Sequence, residues 1–210
     1  MMKFKKRDAT VSKARILEKA KELFSKKGYS ACSMDELANE CGLNKAMIFY
    51  YYKSKQGLYE SVIIDILDEI YISVENENKN LKNPVEELES FVKTYASFAC
   101  EHLYLPSLLL RELSDNGAKI PETLFSHMRK LYMLFEDILK RGEKIGYFSD
   151  VQPIIIYFMV IGTLNLMVTT KSLRVKASEM EGIDTCAECN IDKISEYILS
   201  KIKKMLKDEK

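Results

Sequence analysis

The sequence predicts an all-α protein of about nine helices, in which a small three-helix helix-turn-helix domain precedes a larger helical domain. Three observations carry the prediction. Only 8 Gly and 4 Pro occur in 210 residues, so the residues that break helices are scarce. Apolar residues recur at three- and four-residue spacings along most of the chain, the period of one helix face. Near the start, two short capped segments are separated by a glycine, which is the plan of a helix-turn-helix. Hydrophobic residues make up 47% and charged residues 30% of the chain, a balance that excludes a disordered or collagen-like protein.

The first helix is set by Ile16, Leu17, Ala20, Leu23 and Phe24, which fall on one stripe. Thr10 or Ser12 is placed to cap its start. Lys26 and Lys27 sit in the last turn, where cations meet the negative end of the helix dipole, and Gly28 follows where a left-handed cap is expected. The helix therefore ends near Lys27. Ser33 and Glu36 next form a capping-box pattern, in which hydroxyl and carboxylate satisfy two backbone N–H groups reciprocally. Leu37, Ala38 and Cys41 face inward, and Gly42 stops the second helix after about two turns. Asn44 is the N-cap of a third helix running from Lys45 to about Tyr51, and Ser54 caps a fourth.

A helix-turn-helix presents the N-terminal part of its second helix to the major groove of DNA. That puts Asn44, Lys45, Ala46 and Met47 at the base edges. Lys45 can donate to guanine O6 or N7, and Ala46 and Met47 can touch thymine methyl groups. Ile48 and Tyr52 share the inward face, leaving Phe49, Tyr50 or Tyr51 toward the phosphate backbone. Lys53 and Lys55 bring positive charge there, and Ser33 offers a hydroxyl and an N–H at a helix N-terminus. The charge distribution agrees: residues 1–60 hold 13 basic and 7 acidic side chains, a net +6, whereas the remainder carries −5 of the overall +1.

From Ile16 to Leu58 the residues resemble the N-terminal DNA-binding domain of the TetR family of transcriptional regulators. The resemblance rests on Ile16-Leu17, Ala20, Leu23-Phe24, Gly28-Tyr29, Ser33, Leu37-Ala38 and the run from Cys41 to Leu58, with almost no shift in spacing. It implies a homodimeric, all-helical repressor whose two heads bind a palindromic double-stranded DNA operator. It also implies a division into a DNA-binding domain at 1–56 and a ligand-binding and dimerisation domain at 57–210, with a small-molecule inducer. By position, the family's recognition-helix contacts fall on Lys45, Ala46, Phe49 and Tyr51, and its phosphate-holding lysine on Lys55. The family usually has Tyr where Phe49 stands. A hydroxyl-to-phosphate bond there is lost, and Tyr50 or Tyr51 is left to replace it.

Leu58, Val62, Ile66 and Ile70 continue the fourth helix, the family's connector between head and sensor. A fifth is expected from Pro84 to about His102, a sixth from Pro106 to about Leu113, a seventh from Pro121 toward Gly142, an eighth from Pro153, and a ninth from Ile191 to Leu206. The resemblance implies pairing of the last two long helices across a two-fold axis, and the apolar run from Ile154 and the stripe Ile194, Ile198, Ile202 agree with that. A mostly apolar inducer pocket draws its candidate lining from Tyr95, Phe98, His102, Met128, Tyr132, Phe135 and Tyr157, which suits a hydrophobic or aromatic ligand.

Cys186 and Cys189 have the spacing of half a zinc site or of a redox pair. No export signal is expected from the N-terminal residues, which places the protein in the cytoplasm. The apolar run Ile154–Val168 is short of the roughly 20 residues that cross a bilayer. His102 and His127 are the two imidazoles and neither sits in a metalloprotease spacing; no Gly-rich phosphate loop or nucleophile elbow occurs, so no enzyme and no cofactor is expected.

Overall fold

The computed structural model describes residues 2–114, 121–180, 186 and 190–207, with side chains described from Val11 onward apart from those at 108 and 111–114. Among the described residues every regular element is a helix: α1 (Met2–Ala31), α2 (Met34–Cys41), α3 (Lys45–Tyr52), α4 (Lys55–Asn78), α5 (Pro84–Glu101), α6 (Tyr104–Ser114), α7 (Glu122–Lys144), α8 (Pro153–Thr169), α9 (Lys171–Ser178) and α10 (Ile191–Met205). They form two compact units, Met1–Ile66 and Leu67–Lys210, the division falling within α4.

In the first unit α1 packs on α2 and α3, and α2 on α3. The expected inward residues Ile16, Ala20, Phe24, Leu37, Ala38, Cys41, Ile48 and Tyr52 are all buried. Phe24 meets Tyr59 edge-on with ring centroids 5.1 Å apart. The Ser33 hydroxyl accepts from the Glu36 N–H at 3.0 Å, and Gly42 closes α2 in the left-handed conformation, φ 60°. The Glu36 carboxylate does not complete the capping box but accepts from the Lys27 ammonium, because a charged donor holds a carboxylate better than a neutral N–H does. Asn44 caps α3 by accepting from the Ala46 N–H at 2.9 Å, and Ser54 opens α4 by accepting from Gly57 at 2.9 Å.

Two boundaries of α1 differ from expectation. The helix begins at Met2, not at Thr10 or Ser12, since no Gly or Pro in the first twelve residues stops it. At its other end Gly28, φ 77° and ψ 169°, breaks the helical path as expected, but one more short turn follows to Ala31.

In the second unit α5 lies at the centre, against α6, α7, α8 and α10, and buries Leu88, Phe91, Val92, Tyr95 and Ala99. Its buried Glu87 receives both terminal nitrogens of Arg141 on α7, a forked ion pair that answers the cost of burying a carboxylate. The helix count corrects the sequence reading: α9 is an additional helix, bent 64° from α8. It was not legible because none of its residues is buried, so its sequence carries no apolar stripe. A second correction concerns Ile194, Ile198 and Ile202, which are buried inside the unit on a helix that packs on α5 and α8 and do not form an outer face. The outer side of α8, by contrast, exposes Ile155, Phe158, Met159 and Leu166. Among the described residues no single helix is long and apolar enough to cross a membrane.

The turn between α3 and α4 tolerates no side chain at Gly57, where an added Cβ would fall 2.4 Å from the Tyr52 carbonyl oxygen. Because that neighbour is backbone, relief requires moving the turn. Gly57→Ala is therefore expected to destabilise the protein by about 1–3 kcal/mol, read by urea denaturation. A midpoint equal to wild type would show that the turn yields freely.

Candidate DNA interface and ligand cavity

Both ends of α3 are fixed to the first unit. At its C-terminal end the buried Tyr52 hydroxyl donates to the Lys13 backbone carbonyl at 2.9 Å, and burial, with Asp65 nearby, pushes the phenol pKa up to about 12. At its N-terminal end Asn44 makes the capping bond. The face of α3 opposite Ile48 and Tyr52 is left to solvent: Lys45, Ala46, Phe49 and Tyr50 are exposed, Met47 and Tyr51 half-buried. Ser33 and Asn44 are themselves exposed, but their side-chain oxygens are occupied as caps, so what they offer is a positioned helix N-terminus.

The cations around α3 rest on weak, replaceable partners. Lys45 donates to Asp35 at 2.8 Å with both side chains largely exposed, a pair worth at most about 1 kcal/mol and easily exchanged for another acceptor. Lys53, which ends α3 at φ 67°, donates to the Tyr50 carbonyl at 3.0 Å and lies 5.4 Å from the centre of the Tyr50 ring. Lys55, at the first turn of α4, lies 4.5 Å over the Tyr29 ring and reaches the Ser30 carbonyl at 3.3 Å. Asp35 was not singled out by sequence, and Tyr29 entered only through the resemblance; the part each plays beside a lysine appears only when the helices are assembled.

The second unit holds a cavity of about 760 Å³ that is partly open to solvent. Its walls are Leu67 and Ile70 of α4, Tyr95 of α5, Leu105, Leu109 and Leu110 of α6, six residues of α7 including Phe125, Met128, Arg129 and Tyr132, and six of α8 including Tyr157, Ile161 and Asn165. The structure thus gathers Tyr95, Met128, Tyr132 and Tyr157 around one space and leaves out Phe98, His102 and Phe135. Phe98 stacks on His102 with ring centroids 4.2 Å apart, and His102 Nδ1 lies 2.6 Å from the Tyr104 hydroxyl, a separate cluster at the end of α5. Phe135 is fully buried, wedged between Phe91 and Tyr157 at centroid distances of 4.9 and 5.5 Å.

The inner wall carries one polar pair. The Tyr95 hydroxyl donates to Asn165 Oδ1 at 2.9 Å, across 70 residues of sequence. Burial raises the Tyr95 pKa, opposed in part by that bond, and burial also raises that of Tyr157. Both phenols stay neutral at physiological pH, so neither brings charge to the interior. Asn165 had a signal in the sequence, being polar within an apolar run. The leucines of α6 and the α4 residues had none, since a cavity-lining leucine and a core leucine read alike. Beside the cavity, Asp68 of α4 is held by His127 at 2.7 Å and by Lys130 at 3.4 Å, both from α7.

Cys186 is disulfide-bonded, and its carbonyl accepts from Arg174; Cys189 lies outside the described residues. Cys32 and Cys41 are buried free thiols whose pKa values burial pushes up, the environment of inert cysteines.

Residues 16–62 match the family described as bacterial regulatory proteins, tetR family. The chain is also 30% identical over 135 residues to the probable HTH-type transcriptional regulator YttP of Bacillus subtilis (strain 168), an alignment covering 63% of this chain and 65% of that protein. The matched segment carries the tetR-family pattern. The chain spans slightly less than two thirds of that relative's length. The fold of tetR-family proteins extends beyond the matched head: a TetR-family regulator, PfmR from Thermus thermophilus, superposes with a TM-score of 0.69 over 90% of this chain and 97% of its own at 21% identity. The regulator FadR from Bacillus subtilis, solved in complex with stearoyl-CoA, gives 0.68 over 89% and 95% at 18% identity.

Tyr95→Phe removes the donor from the inner pair and leaves Asn165 Oδ1 without it in a buried place. A loss of about 1–3 kcal/mol is expected, measured as a lower denaturation midpoint. An unchanged midpoint would mean that the oxygen finds another donor.

Proposed function

We propose that the protein is a ligand-responsive, homodimeric transcriptional repressor that reads a palindromic operator with α3 and is released by a small hydrophobic inducer. The observation that carries the reading is the outward face of α3, where Lys45, Ala46, Phe49 and Tyr50 stand exposed on a helix fixed at both ends. A helix held in this way can enter a major groove without first being ordered. Lys45 and Ala46 are assigned to base edges with Met47 and Asn44 beside them. Phe49, Tyr50, Tyr51, Lys53, Lys55 and the start of α2 at Ser33 are assigned to the sugar-phosphate backbone. The domain plan carries over, with a DNA-binding domain at 1–56 and a sensor at 57–210, and the protein works in the cytoplasm, where its DNA is. Catalysis has no place in this reading.

The inducer's site is the cavity, whose size falls within the range of small-molecule sites and whose lining is mainly apolar. FadR of Bacillus subtilis, of the same fold, was solved with an acyl thioester, which supports a ligand with a hydrocarbon part. The dimer is assigned to α8 and α10, not to the buried isoleucine stripe. Ile155, Met159 and Leu166 of α8 and Tyr197 and Met205 of α10 are exposed and stand outside the cavity lining. The link from inducer to operator is assigned to α4, which begins beside α3 and lends Leu67 and Ile70 to the cavity wall. Switching the repressor from about 99% to about 1% in its DNA-binding state requires the inducer to distinguish the two states by about 5.5 kcal/mol.

A second reading, a regulator sensing redox state or metal through Cys186 and Cys189, is favoured by one observation: Cys186 is disulfide-bonded. One assay addresses both. Fluorescence anisotropy with DNA from upstream of the protein's own gene, against excess nonspecific competitor, is expected to show competitor-resistant binding by two subunits. Lys45→Ala should weaken it by about 1–3 kcal/mol, and Lys55→Ala should lower the slope of log affinity against log salt by about one unit. Substitutions without effect on either quantity would remove α3 as the reader. Loss of binding on oxidation that survives Cys186→Ser would remove the second reading.

A further inference from the structure

We infer that the cavity takes an anionic amphiphile, a carboxylate carried on a hydrocarbon body, with Arg129 as its counter-ion. The inference rests on the reading of the cavity as the inducer's site and specifies the chemistry of the occupant. The interior is unsuited to charge: its phenols are neutral, its polar pair Tyr95–Asn165 is already joined, and the remaining walls are mostly aliphatic and aromatic. A charged head must therefore stay at the margin, where the lining is exposed, and the apolar body must point inward.

Among the described residues two charged side chains belong to the lining, Glu122 and Arg129, both exposed on α7. They stand seven residues apart, roughly 10 Å along one helix face. Their situations differ. Glu122 lies in the first turn of α7, where free backbone N–H groups and the positive end of the helix dipole already compensate a carboxylate. Arg129 has no such compensation. The positions three and four residues to either side are Phe125, Ser126, Tyr132 and Met133, none of them acidic. Glu136, two turns further on, feels the Arg129 charge but is bonded to Lys140 and Tyr132. The neighbouring cations are engaged: Lys130 with Asp68, Lys140 with Glu136, Arg141 with Asp137 and Glu87. Arg129 makes no ion pair or hydrogen bond among the described residues. A guanidinium at the edge of an apolar cavity, unpaired and with five donors in a planar fork, matches a carboxylate with two charge-assisted bonds, offers a hydroxyl head only a weaker bond to a neutral oxygen, and repels an ammonium head of equal length.

The test uses the full chain and three probes with the same ten-carbon body: decanoate, decanol and decylamine. Isothermal titration calorimetry on wild type is expected to show decanoate binding at least tenfold more tightly than decanol, and decylamine more weakly than either. Arg129→Met keeps the length and apolar stem of the side chain and is expected to bring decanoate down to the affinity of decanol while leaving decanol unchanged. Glu122→Gln is expected to leave the preference for decanoate in place. The inference is overturned if wild type binds decanoate and decanol equally, if the preference survives Arg129→Met, or if decylamine binds best. Each of those outcomes leaves the cavity as an apolar-ligand site. Failure of all three probes to bind overturns both the inference and the reading of the cavity on which it rests.

Discussion

A helix of eight residues cannot hold itself together in water, because the nucleation cost is spread over too few hydrogen bonds. The elements to which recognition is assigned by proposal, α2 and α3, are both of that length, so their existence depends on packing against α1 and on their caps. This constraint explains why the head spends so many side chains on support. Ser33, Gly42 and Asn44 satisfy helix ends; Ile48 and Tyr52 anchor α3 from beneath; the Tyr52 hydroxyl reaches back 39 residues to Lys13. Short helices leave only one or two outward turns, and the sequence fills those with Lys45, Ala46, Phe49 and Tyr50. Function in this part of the molecule is what remains after stability has taken the inward positions.

The second unit shows the reverse condition. Interiors normally pack to the density of organic crystals, yet here five helices leave about 760 Å³ unfilled. Bulky groups frame the space without closing it: Tyr95 is pinned to Asn165, Phe135 is held behind by Phe91 and Tyr157, and the leucines of α6 form the opposite wall. Such a void forfeits dispersion contacts that a filled core would make. The forked Arg141–Glu87 pair joins α7 to α5, and α10 packs on α5, so the helices around the space are tied to one centre.

Much of the head was legible in the sequence because local rules decide it. Capping residues, the glycine turn and the apolar spacing located α2 and α3 closely, and the division of Ile48 and Tyr52 from Phe49 and Tyr50 followed from helical periodicity. What failed was competition between partners: Glu36 had two donors in reach and took the charged one, Lys27. In the second unit the long helices announced themselves by their stripes, whereas α9, having no buried face, did not. Phe98 and Phe135 share aromatic character and helical phase with residues that line the cavity, and His102 is an aromatic ring two turns on from Tyr95. Only the packing of α5 against α7 and α8 separates a ring that borders space from one wedged in the core. The isoleucines of α10 failed in the same way, since a stripe states that a face is covered and not what covers it.

On the proposed function, a pair of these heads reads one DNA sequence. Selection from a pool of random duplex DNA by the purified full-length protein, followed by sequencing of the bound fraction, tests it without any assumption about the operator. Enrichment of an inverted repeat whose half-sites are centred about one helical turn, or a multiple of it, apart is expected. A bound fraction indistinguishable in sequence from the starting pool would contradict it.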